Sequence, residues 1–210
     1  MRREPYFFIP AILFVLGCGI FLALYGGSKV DLQLALHRGL YNQSGAWLME
    51  RVTLWGDFYL FLVALGWSVY AKKIRTGLLF VIAGLSTGLV VQLLKRFVFA
   101  GIVRPMSVIP WASTQLDPEQ AVPLYHSFPS GHTTTAFVFF TMLALVARRP
   151  VVSFFAAVAA SLVGLSRVYL MVHWVPDIMF GAVLGMTIAL LVYVLLHKWA
   201  EGKKNAPPEG

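Results

Sequence analysis

Charged side chains are scarce: they make up 12% of the 210 residues, against about 25% in an ordinary soluble domain. With 59% hydrophobic residues and a mean hydropathy of +0.75, that deficit excludes a soluble globule and indicates a membrane protein. Cysteine is scarcer still. The single Cys18 excludes an internal disulfide and leaves the redox compartment unread. Acidic residues number only nine, which leaves a net charge of +8. The basic residues do not form a nucleic-acid-binding tract; they sit in short clusters between apolar runs, the pattern of juxtamembrane anchors. No long internal repeat is present, so residues 1–200 read as one domain, and the polar segment 201–210 reads as a disordered tail.

What is abundant is long apolar sequence. A spanning helix needs ~20 mostly apolar residues. Six runs qualify: residues 6–25, 54–70, 76–94, 128–147, 151–170 and 178–196, the second short and expected to begin a turn earlier. The first follows Met1-Arg2-Arg3 but has no convincing small-residue cleavage site, so it reads as a retained helix and not a signal peptide. Ten basic residues (Arg2, Arg3, Lys72, Lys73, Arg75, Arg148, Arg149, Lys198, Lys203, Lys204) fall on one side of this arrangement and seven (Lys29, Arg38, Arg51, Lys95, Arg96, Arg104, Arg167) on the other. The positive-inside rule then places both termini in the cytoplasm. The expected architecture is an all-α integral membrane protein with six transmembrane helices. On the outer side, residues 30–41 read as a short surface helix with Val30, Leu34 and Leu40 on its apolar side. Residues 100–127, with Pro105, Pro110, Pro118 and Pro123, read as an irregular loop.

Ionisable residues at the ends of spans are functional candidates by default, and here they fall at one depth. The third run ends at Lys95 and the next loop supplies Arg104-Pro105. The fourth opens with Pro129-Ser130-Gly131-His132, the fifth ends at Ser166-Arg167, and the sixth is entered through His173 and Asp177. Ser130 can cap a helix whose free N–H groups and positive dipole end face an anion, and Gly131 lets the backbone approach a ligand. Lys95, Arg104 and Arg167 can neutralise a phosphate. His173 and Asp177, four apart, can share a helix face. The carboxylate would fix the imidazole tautomer and leave the other nitrogen free to attack. His132 is then available as general acid for the leaving oxygen and as base for water.

Plainer readings stand beside these. Lys95 and Arg167 could be snorkelling residues, His173 beside Trp174 an interface anchor, and His132 a satisfied interior histidine. A zinc site could be drawn from both histidines and Asp177, although three nearby cations oppose a metal. Asp57, in Trp55-Gly56-Asp57, supports the site, meets a head group, or is structural. His126 and Tyr125 read as loop surface, His37 and His197 as interfacial, and Gly84/Gly88 and Gly181/Gly185 as close helix packing.

These residues together resemble the type 2 phosphatidic acid phosphatase superfamily. That pattern has a lysine, six residues and Arg-Pro; then Pro-Ser-Gly-His; then Ser-Arg, five residues, His, three residues and Asp. Pro129-Ser130-Gly131-His132 matches the second block, and Ser166-Arg167 with His173 and Asp177 matches the third at its full spacing. The first departs, since eight residues separate Lys95 from Arg104-Pro105; it reads as a two-residue insertion at the helix end. The resemblance implies a metal-independent phosphatase without a cofactor, in which His173 forms a phosphohistidine, Asp177 orients it and His132 serves the leaving group. Lys95, Arg104, Ser130, Gly131 and Arg167 would hold the phosphate. It implies as substrate an envelope lipid phosphate (lipid A phosphate, undecaprenyl pyrophosphate or phosphatidylglycerol phosphate) and no obligate protein partner. It also implies a bacterial inner membrane with the site facing the periplasm. A lipid phosphotransferase and a non-catalytic lipid-phosphate binder use the same residues and remain alternatives.

Overall fold

The structure, a computed structural model, describes residues 5–116 and 123–201. Glu201, the first residue of the expected tail, is still helical, and the rest of that tail (202–210), Pro118 and the basic residues Arg2, Arg3, Lys203 and Lys204 lie outside the described residues. The described residues form eight α-helices: α1 (Pro5–Tyr25), α2 (Lys29–Leu40), α3 (Gln43–Thr53), α4 (Tyr59–Tyr70), α5 (Ile74–Leu93), α6 (Gly131–Ala147), α7 (Pro150–Tyr169) and α8 (Val175–Glu201). No strand occurs among the described residues.

Among the described residues, four segments are long and apolar enough to cross a bilayer: Pro5–Tyr25, Ile74–Val98, Pro150–Tyr169 and Val175–His197. A fifth exists if Gln43–Gly56 and Tyr59–Tyr70, bent by 56° at their junction, make one span. The expected second span over 54–70 is therefore not continuous. Leu54–Gly56 forms a 3-10 turn and Asp57 is extended (φ −94°, ψ 158°), so α4 starts only at Tyr59. The expected fourth span also starts late, because Pro129 lies ahead of the first helical residue, Gly131. The remaining 17 residues rise about 25 Å, short of a ~30 Å hydrocarbon core.

Helix α6 lies at the centre, packed on α5, α7 and α8, with α1 across α7 and α8 and α4 against α5. Small residues allow these approaches. A Cβ added to Gly185 would lie 2.6 Å from the Thr134 carbonyl oxygen, and one on Gly181 would lie 3.0 Å from that of Ser130. Gly84 packs on Phe58 and Phe61 in the same way, but Gly88 has nothing within 4 Å, so the packing expectation fails at that position. Phe7, Ala11, Phe137, Ala157, Ala160 and Ala182 fill the contact between α1, α6, α7 and α8.

The segment between α1 and α4 forms a cap over the far end of α7. Ser28 caps α2, accepting from the Asp31 N–H, and Asn42 caps α3, accepting from the Gly45 N–H at 2.7 Å. The expected helix over 30–41 is present, but one of its faces is buried. Gln33 donates to the Val168 carbonyl at 2.8 Å, and Val30 and Leu34 pack near Met106 and Trp174, while Leu40 stays exposed. His37 is not interfacial: it is buried, and its Nε2 accepts from the Gln115 N–H at 2.9 Å.

Candidate active site

The mouth of α8 is built by a turn that folds back over the end of α7. The N–H groups of Val172 and His173 both donate to the Arg167 carbonyl at 3.1 Å, and Met171 takes the left-handed conformation (φ 58°) that the reversal needs. Trp174 anchors the turn by donating its indole N–H to the Val103 carbonyl at 2.9 Å. His173 thereby reaches Asp177 one helical turn on, with Nδ1 3.1 Å from Oδ2. The same Oδ2 accepts from Ser127 Oγ at 2.5 Å and from the Trp174 N–H at 3.0 Å. Three donors on one buried oxygen fix the carboxylate, which in turn holds the imidazole by Nδ1 and leaves Nε2 unused. Burial pushes His173 down to about 3, against the opposing Asp177 carboxylate, with Arg104 adding to the lowering. The imidazole is therefore neutral at physiological pH.

Facing this pair is the first turn of α6. Ser130 is its cap, accepting from the Thr133 N–H and hydroxyl, and the Ser130 N–H donates to the Asp177 carbonyl at 3.2 Å, tying α6 to α8. The first N–H groups of a helix have no partner within it. A Cβ on Gly131 would meet only Val91, at 3.7 Å. Packing thus does not demand glycine here, and the space in front of the backbone is open to a ligand.

The three cations converge from separate elements. Arg167, 9% exposed, donates to Thr53 Oγ1 at 2.6 Å, while its buried Nε has no partner. Arg104, also 9% exposed, spends Nε on the Tyr125 carbonyl (2.9 Å) and one terminal nitrogen on the Val172 carbonyl (3.1 Å), so the same residue braces the loop and the α7–α8 turn. Lys95 lies within electrostatic reach of Arg104, Arg167 and Asp177, whereas Arg96 is exposed. The longer spacing after Lys95 is absorbed locally. Leu94–Val98 forms a π-turn closed by the Phe99 N–H on the Leu94 carbonyl (2.8 Å), a device that takes up an extra residue inside a helix. His132 faces the same space, and its Nε2 lies 3.0 Å from Asp57 Oδ1.

A family model described as the PAP2 superfamily matches residues 76–201, more than half of the chain. The chain belongs to the PAP2 superfamily. Among relatives of this PAP2 chain, a lipid A 1-phosphatase of Rhizobium johnstonii is 32% identical over 121 residues, 58% of this chain and 48% of that protein. The chain thus spans about half the length of that relative. An undecaprenyl-diphosphatase of Sulfolobus acidocaldarius is 26% identical over 193 residues, 90% of each protein. The fold is similar to that of the crystal structure of a transmembrane PAP2-type phosphatidylglycerolphosphate phosphatase from Bacillus subtilis, with a TM-score of 0.62 and 21% identity, covering 98% of this chain and all of that one.

All eight site residues singled out in the sequence (His173, His132, Asp177, Lys95, Arg104, Ser130, Gly131 and Arg167) lie at the same end of the PAP2 helices. Tyr125 and His126 line the adjoining loop, where Tyr125 lends its carbonyl to Arg104. Two contributors had no legible signal: Ser127, which holds Asp177, and Thr53, which holds Arg167 from 114 positions away. The zinc alternative finds no support in the geometry. His132 pairs with Asp57 and not with Asp177, and among the described residues no three His, Cys, Asp or Glu side chains are placed to share a metal ion.

Proposed function

We propose that this chain is a membrane phosphatase that hydrolyses a lipid-linked phosphate mono- or diphosphate ester through a phosphohistidine on His173. The observation that carries this reading is the buried His173–Asp177 pair set among three cations and a helix N-terminus. His173 Nε2 attacks phosphorus, the bond from phosphorus to the lipid-side oxygen breaks, and His132 gives that oxygen its proton. Water then attacks the phosphohistidine, His132 takes a proton from it, the phosphorus–nitrogen bond breaks, and inorganic phosphate leaves. Phosphoryl transfer depends mainly on positioning and charge stabilisation, which Arg104, Arg167, Lys95 and the α6 amides can supply without a metal.

A groove of about 670 Å³ supports a lipid substrate. Its walls include Trp55, Leu60, Phe139, Leu143, Phe155 and Ala159. It begins two residues from Asp57, and from His132 to Leu143 α6 rises about 16 Å, close to one leaflet. We assign this groove to the hydrocarbon tail of the substrate. The short α6 and the bent α3–α4 pair complete a six-span topology. On that topology the charge distribution supports both termini in the cytoplasm and a site at the periplasmic face of a bacterial inner membrane. The substrate is an envelope lipid phosphate, with lipid A phosphate or undecaprenyl pyrophosphate ahead of phosphatidylglycerol phosphate.

The test is phosphate release in detergent with EDTA present, from these three lipids and from p-nitrophenyl phosphate. At least one lipid should be hydrolysed at a rate EDTA does not change. Complete loss of activity with EDTA, or no release from any lipid, sinks the proposal. In the same assay Ala159→Phe, which narrows the groove, should raise KM for the lipid about tenfold, equivalent to roughly 1.4 kcal/mol of lost apolar contact. The p-nitrophenyl phosphate rate should stay unchanged.

A further inference from the structure

The site contains a second histidine–carboxylate pair, whose carboxylate, Asp57, lies outside the three sequence blocks. His132 Nε2 and Asp57 Oδ1 are 3.0 Å apart, and both side chains are partly open (35% and 41% exposed), whereas His173 and Asp177 are sealed. Asp57 is delivered by backbone geometry. It occupies the extended residue at the 56° bend between α3 and α4. The preceding Gly56 sits against His132 so closely that a Cβ would lie 2.7 Å from the His132 carbonyl oxygen and 2.9 Å from its Cβ. One short segment therefore grips both the backbone and the ring of His132.

The charges around His132 explain why such a partner matters. It is faced by Arg167 from α7, Arg104 from the loop, Lys95 from the turn after α5, and His173 from the mouth of α8. Three fixed positive charges suit a phosphate but oppose a positive charge on the very imidazole that must carry a proton to the leaving oxygen. Among the groups around the ring, Asp57 is the carboxylate in direct contact with it, and Asp57 in turn feels Arg167.

Resting on the phosphatase reading above, we infer that Asp57 is a positioning residue that holds His132 in its proton-donating form. In the imidazolium, Nε2–H is held by Asp57 and Nδ1–H is given to the departing lipid oxygen. The neutral ring that remains keeps Nε2–H on the carboxylate, and its Nδ1 lone pair then takes a proton from the attacking water. His173 is held by Nδ1 and acts through Nε2; His132 is held by Nε2 and acts through Nδ1.

The experiment compares the purified full chain with Asp57→Asn, His132→Ala and the double variant, on a lipid phosphate and on p-nitrophenyl phosphate, whose leaving group departs without a proton. Asp57→Asn should lower kcat for the lipid about 10- to 100-fold with KM little changed, part of the roughly 10²- to 10⁴-fold that a general acid supplies. The burst of p-nitrophenol, which reports the first step alone, should change by no more than about twofold. Removing the carboxylate favours the neutral imidazole, so the alkaline limb of kcat should move to lower pH by about one unit. The double variant should be no worse than His132→Ala, since both changes disable one device. Equal losses in lipid turnover and in that burst with an unmoved pH profile, or losses that multiply in the double variant, overturn the inference while leaving the phosphatase reading intact. Near-normal lipid hydrolysis by His132→Ala would overturn the inference together with the proton-donor role given to His132, while the phosphatase activity itself would stand.

Discussion

Replacing His173 with alanine should lower kcat by roughly 10⁴-fold or more on every phosphate ester, as expected when a covalent nucleophile is removed. The cations and the α6 amides remain in place, so the variant should still bind inorganic phosphate with an affinity close to that of the wild type. That split separates a nucleophile from a residue that merely shapes the pocket. Near-normal turnover in the variant would refute the covalent mechanism. Burial also makes a claim about pH. Because burial pushes the imidazole well below its ordinary value, protonation of His173 should contribute no activity limb between pH 5 and 8. A limb in that range is expected from the substrate phosphate, whose second ionisation lies near 6.

Asp177→Asn is the second large effect. The carboxylate oxygen accepts from Ser127, Trp174 and His173 at once, which forces the proton of the neutral imidazole onto Nδ1. An amide can instead present its own N–H to Nδ1, and the ring then carries its proton on Nε2, where the lone pair is needed. A tautomer error of this kind in a histidine-based site costs on the order of 10⁴-fold in kcat, with the α8 mouth still folded. Measured kcat should fall to that extent while phosphate affinity changes far less. A loss below about tenfold would mean that Asp177 is scaffolding for the turn.

The chemistry-bearing blocks were legible because each combines residue types that the membrane tolerates only at a cost, and because consecutive long helices run in opposite directions. Lys95, Ser130, Arg167 and Asp177 therefore had to share one end. The reach of Lys95 was not legible from spacing, since a π-turn and an irregular link absorb the extra residues. The break in the second span was hidden for a different reason. Trp55-Gly56-Asp57 is flanked by apolar sequence on both sides, and only the close approach of Gly56 to His132 shows why the chain bends there. Ser127 and Thr53 are small hydroxyl residues of ordinary kind. Their partners lie 50 and 114 positions away, beyond any local pattern. His37 misled for a related reason, because a histidine on a short amphipathic helix looks interfacial until the loop around Gln115 covers it.

Trapping the phosphoenzyme tests the histidine nucleophile most directly. Wild-type protein and His132→Ala would be mixed with a lipid substrate carrying labelled phosphorus, quenched in alkali within one turnover, and digested for mass spectrometry. An alkali-stable, acid-labile phosphate on His173 is expected, accumulating in the His132 variant if its second step slows. Turnover without any labelled protein, or a label carried by Ser130 or Asp177, would contradict it.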